Sequence, residues 1–235
     1  MQTNDVVSRE EWQKARLDHL KHEKELTRRR EQLAAERRGL PWVRIEKSYL
    51  FDGPEGRESL ADLFAGRDQL IVYHFMLGPG WDEGCKSCSF WADNYQGAIV
   101  HLAARDATLV TVSRAPLREI EAFRKRMGWS FKWVSSHDSD FNFDFNVSFT
   151  RAELEGDGAL YNFETIRFRG EEAPGLSVFA RGDDGELYHT YSSYSRGLDT
   201  LYGAYQLLDV CPKGRDEDGL DYSMSWLRLH DSYAD

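Results

Sequence analysis

The sequence predicts an α/β fold built on a central mixed sheet flanked by helices, with a long N-terminal helix and a C-terminal extension. Three patterns carry that expectation. Apolar, β-branched runs alternate with helical stripes between Leu70 and Val134, and strand, helix, strand, helix, strand is the order that gives parallel pairing through crossover helices. Two further runs, Leu176 to Ala180 and Glu186 to Tyr191, flank Arg181-Gly-Asp-Asp-Gly185, which reads as an antiparallel hairpin. Ahead of both, Ser8 and Glu11 have the spacing of a capping box, and helix formers continue to Arg38 before Gly39 and Pro41, so one helix is expected over about 9–38.

Taken in order, that first helix carries only a thin apolar stripe of Trp12, Leu17, Leu20, Leu26 and Leu33. Such a helix lies on a surface or on a partner subunit. Residues 1–40 are therefore read as an arm for packing or homo-oligomerisation, 41–210 as the main domain, and 211–235 as a tail docking on it. Arg28-Arg29-Arg30 reads as a solvated face because acidic neighbours intersperse it. Short strands are expected at 42–45 and 49–51, a turn at Gly53-Pro-Glu-Gly56, and a helical turn over 59–66 ended by Gly66. The central strand runs from Leu70 to Leu77 and stops at Gly78-Pro79-Gly80. Beyond the cysteines Trp91, Tyr95, Ala98, Ile99 and Leu102 share a helix face. A buried strand follows at 108–112, then a helix opened by Pro116 with Ile120, Phe123 and Met127 inward, then a strand at 131–134. Residues 149–173 read as an insertion. Leu198, Leu201, Tyr202, Tyr205 and Leu208 mark the closing helix, and Trp226, Leu227 and Leu229 give the tail something to dock with.

Composition narrows the function classes. The 235 residues (27.2 kDa) are 41% hydrophobic and 30% charged, enough for one sizeable core. A net charge of −10 argues against general affinity for nucleic acid or acidic membranes; residues 1–40 carry +2, which leaves −12 for the rest. No run approaches the roughly 18 apolar residues of a membrane span, and no signal-peptide core is visible, so a cytoplasmic protein is expected. Three cysteines are too few for a disulfide scaffold.

Chemistry concentrates at Gly84-Cys85-Lys86-Ser87-Cys88. This C-x-x-C pair sits where the central strand hands over to a helix, on its first turn. Unpaired N–H groups and the positive dipole end there favour a thiolate, which makes Cys85 a nucleophile. Cys88 lies on the same side of the turn, within reach of a mixed disulfide at Cys85. Lys86 adds a nearby cation, or points to water. Trp81 is placed to wall the site. His74, in the central strand, either tunes the thiolate or is a structural core histidine; His189 and Tyr191 are strand surface or site lining. Cys211 is an extra resolving thiol or a small apolar residue. Zinc, the competing use of C-x-x-C, needs two more ligands, and no second close pair exists. The alternating oxygens from Asp138 to Asn146 lack the glycine and the bidentate glutamate of a calcium loop, and read as a loop with a helix-capping Asp. No metal and no cofactor is expected.

The run Phe75 to Asp93, with Ser113-Arg-Ala-Pro116, Arg126-Met-Gly-Trp129, Val134-Ser-Ser136 and Tyr191-Ser-Ser-Tyr-Ser-Arg-Gly197, resembles the bacterial DUF899 family over most of the chain after about residue 40. The resemblance implies a thioredoxin-like fold and a dithiol-disulfide oxidoreductase, and Ser59-Leu-Ala-Asp-Leu-Phe is similar to the lead-in of the peroxiredoxin and TlpA-type branch. It also implies a cis-proline facing the cysteines, for which Pro174 is nearest. The thioredoxin Trp-Cys-Gly-Pro-Cys pattern is not matched, and Asp82 stands where a peroxiredoxin carries Thr or Ser.

Three functions remain open at this point. The first is a thiol-disulfide oxidoreductase acting on a disulfide-bearing or thiol substrate, protein or small molecule. The second is a thiol-dependent peroxidase, and the third a non-catalytic interaction protein with vestigial cysteines.

Overall fold

A computed structural model describes residues 4–168 and 170–233, and the chain divides into two compact units, Met1–Pro41 and Trp42–Asp235. The first unit is helix α1 (Arg9–Arg38). Its capping box forms as the sequence predicts: the Glu11 N–H donates to Ser8 Oγ (3.2 Å), and the Ser8 N–H donates to Glu11 Oε2 (3.0 Å). None of its residues is buried.

The second unit is organised by strand β4. Upstream of it lie β1 (Val43–Arg44), β2 (Leu50–Gly53) and β3 (Gly56–Ser59). Residues 53–56 thus turn a hairpin, and β3 is a strand the sequence pattern did not announce. A short 3-10 turn, Asp62–Phe64, leads into β4 (Gln69–His74). Then come α2 (Lys86–Tyr95), α3 (Ile99–Ala103), β5 (Ala107–Ser113), α4 (Leu117–Arg126) and β6 (Trp133–Ser135). Strands β4, β5 and β6 pair in parallel, as the alternation requires. After α5 (Phe141–Asp144) and α6 (Arg151–Glu155), β7 (Ala159–Tyr161) and β8 (Glu164–Ile166) make a separate two-stranded sheet. The hairpin β9 (Gly175–Arg181) and β10 (Leu187–Tyr194) and helix α7 (Gly203–Leu208) follow, and a 3-10 turn, His230–Ser232, lies in the tail.

The main sheet has the order β1-β10-β9-β4-β5-β6-β2-β3. Its centre, β10-β9-β4-β5, with β9 antiparallel to β4 and β10 to β9, is the thioredoxin-like arrangement. Alternation along β4 divides its side chains between two cores. Tyr73 joins Phe75, Trp91, Phe123 and Trp133 under α2 and α4, whereas Leu70 and Val72 join Phe64, Phe141 and Phe179 on the other face.

Three expectations change in detail. The central strand ends at His74, because Phe75, Met76 and Leu77 leave the β9 partner and bend toward α2; the Cys85 N–H donates to the Met76 carbonyl (3.1 Å). The closing helix is broken: a 3-10 segment, Ser195–Leu201, precedes α7, with Tyr202 extended between them. Of the aspartates among which a helix cap is expected, Asp140 takes the N-cap position of α5 but makes no side-chain capping bond, and its carboxylate accepts instead from Lys47 Nζ (2.8 Å), as does Asp144 (2.6 Å).

The insertion is anchored through a buried carboxylate. Glu172 accepts from Arg114 Nε (2.6 Å) at the end of β5 and from Ser148 Oγ (2.6 Å), and burial raises its pKa, which these two donors partly oppose. An Arg114→Met variant strands that carboxylate, a change that costs about 3 kcal/mol where a buried pair loses one partner. A raised folded-state pKa means the penalty is present above it and vanishes below the unfolded value. Urea midpoints should therefore fall sharply at neutral pH and converge with wild type near pH 4, and adding Glu172→Gln should recover part of the loss.

Candidate functional site

The two cysteines stand at the carboxyl end of β4, the position at which open α/β sheets bind ligands. Getting them there depends on Gly84. A Cβ at that residue would lie 2.6 Å from Phe75 and 2.7 Å from Phe123, so only glycine lets the loop fold down onto the aromatic core. Cys85 is then the N-cap of α2, and Cys88 falls inside the helix's first turn.

The thiols are unequal. Cys85 is half-buried and Cys88 is 1% exposed; both are free thiols. The Cys88 thiol donates toward the Cys85 sulfur, and so do the backbone N–H groups of Cys88 and Ser87 and the Ser87 hydroxyl. Together they outweigh the cost of partial burial and bring Cys85 down to about 7. About half of it is thiolate at neutral pH, against about 3% for an ordinary thiol of pKa about 8.5. Cys88 moves the other way. Burial among Tyr73, Trp91 and Ala92, reinforced by the adjacent Cys85 sulfur, holds it far above the usual thiol range.

Cys85 opens into a cavity of about 260 Å³. Met76 and Ser87 form the wall on its own side, and Pro174 lies at the start of β9. Tyr202 and Tyr205 come from the broken closing helix, and Met224 from the tail. One hydroxyl of the insertion ties two of these walls: Tyr161 Oη donates to the Pro174 carbonyl (2.8 Å) and accepts from the Ser195 N–H (3.0 Å). Ser195 is held there with φ 48°, a conformation that a non-glycine residue keeps only where its surroundings fix it.

A second network seats the tail. Arg215 grips Asp199 with both Nη atoms (2.7 and 2.9 Å), binds Asp209 (2.7 Å), and lies 3.9 Å above the Tyr205 ring. The Tyr205 hydroxyl donates to Glu217 (2.5 Å), which also accepts from Trp226 Nε1 (2.7 Å) and the Met224 N–H (2.9 Å). Leu227 and Leu229 are each 1% exposed, and Asp231 pairs with Arg126 (2.8 Å).

Of the residues singled out from sequence, the fold brings Cys85, Cys88 and Pro174 together. Pro174 lines the cavity, but every peptide bond among the described residues is trans; the segment is pinned on both sides by Ala173 N–H to Val147 O (2.8 Å) and by Tyr161. Lys86 is exposed. Trp81 lies outside the cavity with its indole over Gly78, where a Cβ would meet Nε1 at 2.9 Å. His74 occupies the opposite face of the sheet from the thiols. It bonds Ser177 Oγ (2.9 Å) beside Phe141 and Phe145, and burial lowers its pKa to about 3. His189 belongs to that same face through Ser192 (2.7 Å) and Phe179, while Tyr191 packs on the thiol-side core. Cys211 is exposed and donates to the Leu207 carbonyl (3.4 Å). Among the described residues no group of His, Cys, Asp and Glu is arranged to hold a metal ion, and no helix is long and apolar enough to cross a membrane.

Sequence reasoning missed Arg196, Asp199 and the tail's share of the wall. Tyr202 and Tyr205 were visible only as a core stripe; they are buried and also face the cavity.

A family model described as "Bacterial protein of unknown function (DUF899)" matches residues 1–233. No curated protein matches the chain. Among solved structures it is similar to peroxidoxin BcpB from Mycobacterium tuberculosis, at 11% identity and TM-score 0.48 over 72% of this chain and 97% of that one. Peroxiredoxin Q from Xanthomonas campestris, in a cysteine-to-serine mutant form, gives 14% and 0.44 over 67% and 90%. The mitochondrial 2-Cys peroxiredoxin of Plasmodium falciparum gives 13% and 0.41 over 74% and 94%. The thioredoxin-like assignment of this chain follows from its own strand order.

Alkylation of the reduced protein tests the inequality of the thiols. Carbamidomethylation at Cys85, followed by mass spectrometry, should rise with pH to a plateau with its midpoint near 7, while Cys88 stays unlabelled at neutral pH. Ser87→Ala, which removes one donor to the thiolate, should move that midpoint upward.

Proposed function

Because the chain belongs to the DUF899 family and presents two unequal thiols at one helix start, we propose that it is a thiol-disulfide oxidoreductase of thioredoxin-like fold. The observation that carries this reading is the pairing of a depressed, cavity-facing Cys85 with a fully buried, elevated Cys88. An attacking thiol is most effective when its pKa lies near the ambient pH, and Cys85 meets that condition.

In the forward direction the Cys85 thiolate attacks one sulfur of a substrate disulfide. The substrate S–S bond breaks, a Cys85–substrate disulfide forms, and the other half leaves as a thiolate that takes a proton from solvent. Cys88 then loses its proton, attacks Cys85 Sγ and expels the second half. Two electrons pass from the protein dithiol to the substrate, leaving a Cys85–Cys88 disulfide that an external thiol or dithiol must reduce. The environment times the steps. While Cys85 is a thiolate, ionising Cys88 would place a second negative charge beside it in a dry site. Once Cys85 is bonded to substrate that charge is gone, and Cys88 becomes easier to ionise only then.

Two variants test the order of attack. Cys88→Ser should accumulate a stable mixed disulfide at Cys85 when given a small disulfide, detectable as an added half-substrate mass, whereas Cys85→Ser should form none at residue 88. Absence of any adduct on Cys88→Ser under conditions that label Cys85 would sink the proposal. Rapid, Cys85-dependent consumption of hydrogen peroxide with a small thiol donor, without disulfide exchange, would favour the peroxidase alternative.

A further inference from the structure

The cavity's shape and charge name the class of substrate, an inference that rests on the exchange reading above. Its volume, about 260 Å³, is slightly below the roughly 300 Å³ at which ordinary ligand pockets begin. That volume is of the size of one half of a low-molecular-weight disulfide. A folded protein would have to bring its own disulfide past walls that are themselves pinned: the Tyr205–Glu217–Trp226 bonds hold the tail, and Phe90 packs on both Tyr202 (5.7 Å) and Trp226 (5.8 Å).

Two ionic side chains line the cavity, Arg196 and Asp199. They are not equivalent. Both oxygens of Asp199 are taken by the Arg215 fork at 2.7 and 2.9 Å, so its charge is met inside the protein. Arg196 makes only a loose ion pair with the same carboxylate, at 3.6 Å and without a hydrogen bond, and its side chain is 75% exposed, so its guanidinium fork is left for an entering molecule. The remaining lining is apolar or hydroxylic, with Met76, Pro174 and Met224 beside Ser87, Ser195 and Ser223. The charge that the cavity offers an entering molecule is therefore a guanidinium, whose planar fork matches a carboxylate.

We propose that the Cys85 site takes a low-molecular-weight thiol or disulfide bearing a carboxylate, and that Arg196 selects it through that carboxylate. The test compares three probes with the full-length protein: oxidised glutathione, neutral 2-hydroxyethyl disulfide and cationic cystamine. Wild type should prefer them in that order in kcat/KM. Arg196→Gln should lower the glutathione-to-hydroxyethyl ratio by up to about fivefold, the range of an exposed ion pair. Arg196→Glu should lower it further and raise cystamine, while Arg196→Lys should restore part of the preference. Unfolding midpoints of the variants should match wild type. A ratio unchanged by Arg196→Gln, including equal losses on both disulfides, overturns the assignment while leaving the oxidoreductase reading in place. If wild type exchanges with none of the three although Cys85 alkylates normally, the oxidoreductase reading fails and the assignment fails with it.

Discussion

The hydrogen bond from the Cys85 N–H to the Met76 carbonyl, 3.1 Å, is the constraint on which the rest of the site depends. It folds the loop after β4 back on itself, so that the residue capping α2 sits directly over the strand end. That closure is tolerated because residue 84 has no side chain to drive into Phe75 and Phe123. Everything chemical about the pair follows from it. Cys85 faces the free N–H groups of the first helical turn, and Cys88, three residues on, is directed into the aromatic core. The sheet supplies the fixed ground: the Phe75 N–H donates to Val112 (2.9 Å) and the Phe75 carbonyl accepts from Ser113 Oγ (2.6 Å), so the end of β4 stays tied to β5 after the ladder with β9 has stopped.

Much of the fold is legible in the sequence because it rests on local periodicity. Helix α1 matches its expected limits, since a capping box and thirty residues of helix formers need nothing from the rest of the molecule. The parallel strands and the hairpin are equally plain, since their apolar runs are bounded by strong breakers. What escapes is set by partners far away in the chain. Strand β3, Gly56-Arg-Glu-Ser59, has no apolar alternation; it exists because β2 pairs with it. The closing helix breaks at Tyr202 although its stripe is continuous; there Asp199 is drawn to Arg215, and Gly203 packs against Asn94 so closely that a Cβ would meet Oδ1 at 2.8 Å.

The site divides along the same line. Cys85 and Cys88 are recognisable from spacing and from the strand-to-helix junction, both local features. His74 and Trp81 lie close to them in sequence and yet stand elsewhere. A strand's alternation sends His74 through the sheet to Ser177 and Phe141, and the turn at 78–81 lays Trp81 back over Gly78. Arg196, Asp199 and Met224 are more than a hundred residues from Cys85 in the chain, and no motif links them to it. Their place is fixed by a salt-bridge fork, a tyrosine hydroxyl and a buried leucine pair, none of which has a sequence signature.

These remote contacts decide what surrounds Cys85. A helix-start cysteine on a bare sheet end would be open to any disulfide, including one on another protein's surface. Here the tail is fastened across that end at three levels: Arg215 on Asp199 and Asp209, Glu217 under Tyr205 and Trp226, and Asp231 on Arg126. The interactions reinforce one another, since Arg215 also lies on the Tyr205 ring whose hydroxyl donates to Glu217. The Arg215–Asp199 and Glu217 bonds are charge-assisted hydrogen bonds between partly covered groups, geometrically exacting, whereas Asp231–Arg126 is an exposed ion pair. The resulting wall lines one side of the cavity at Cys85, through Tyr202, Tyr205 and Met224, while Cys88 stays buried beneath it. The acidity of Cys85 is set at the helix start, but the walls of the cavity it faces come from the tail and the Ser195–Leu201 turn.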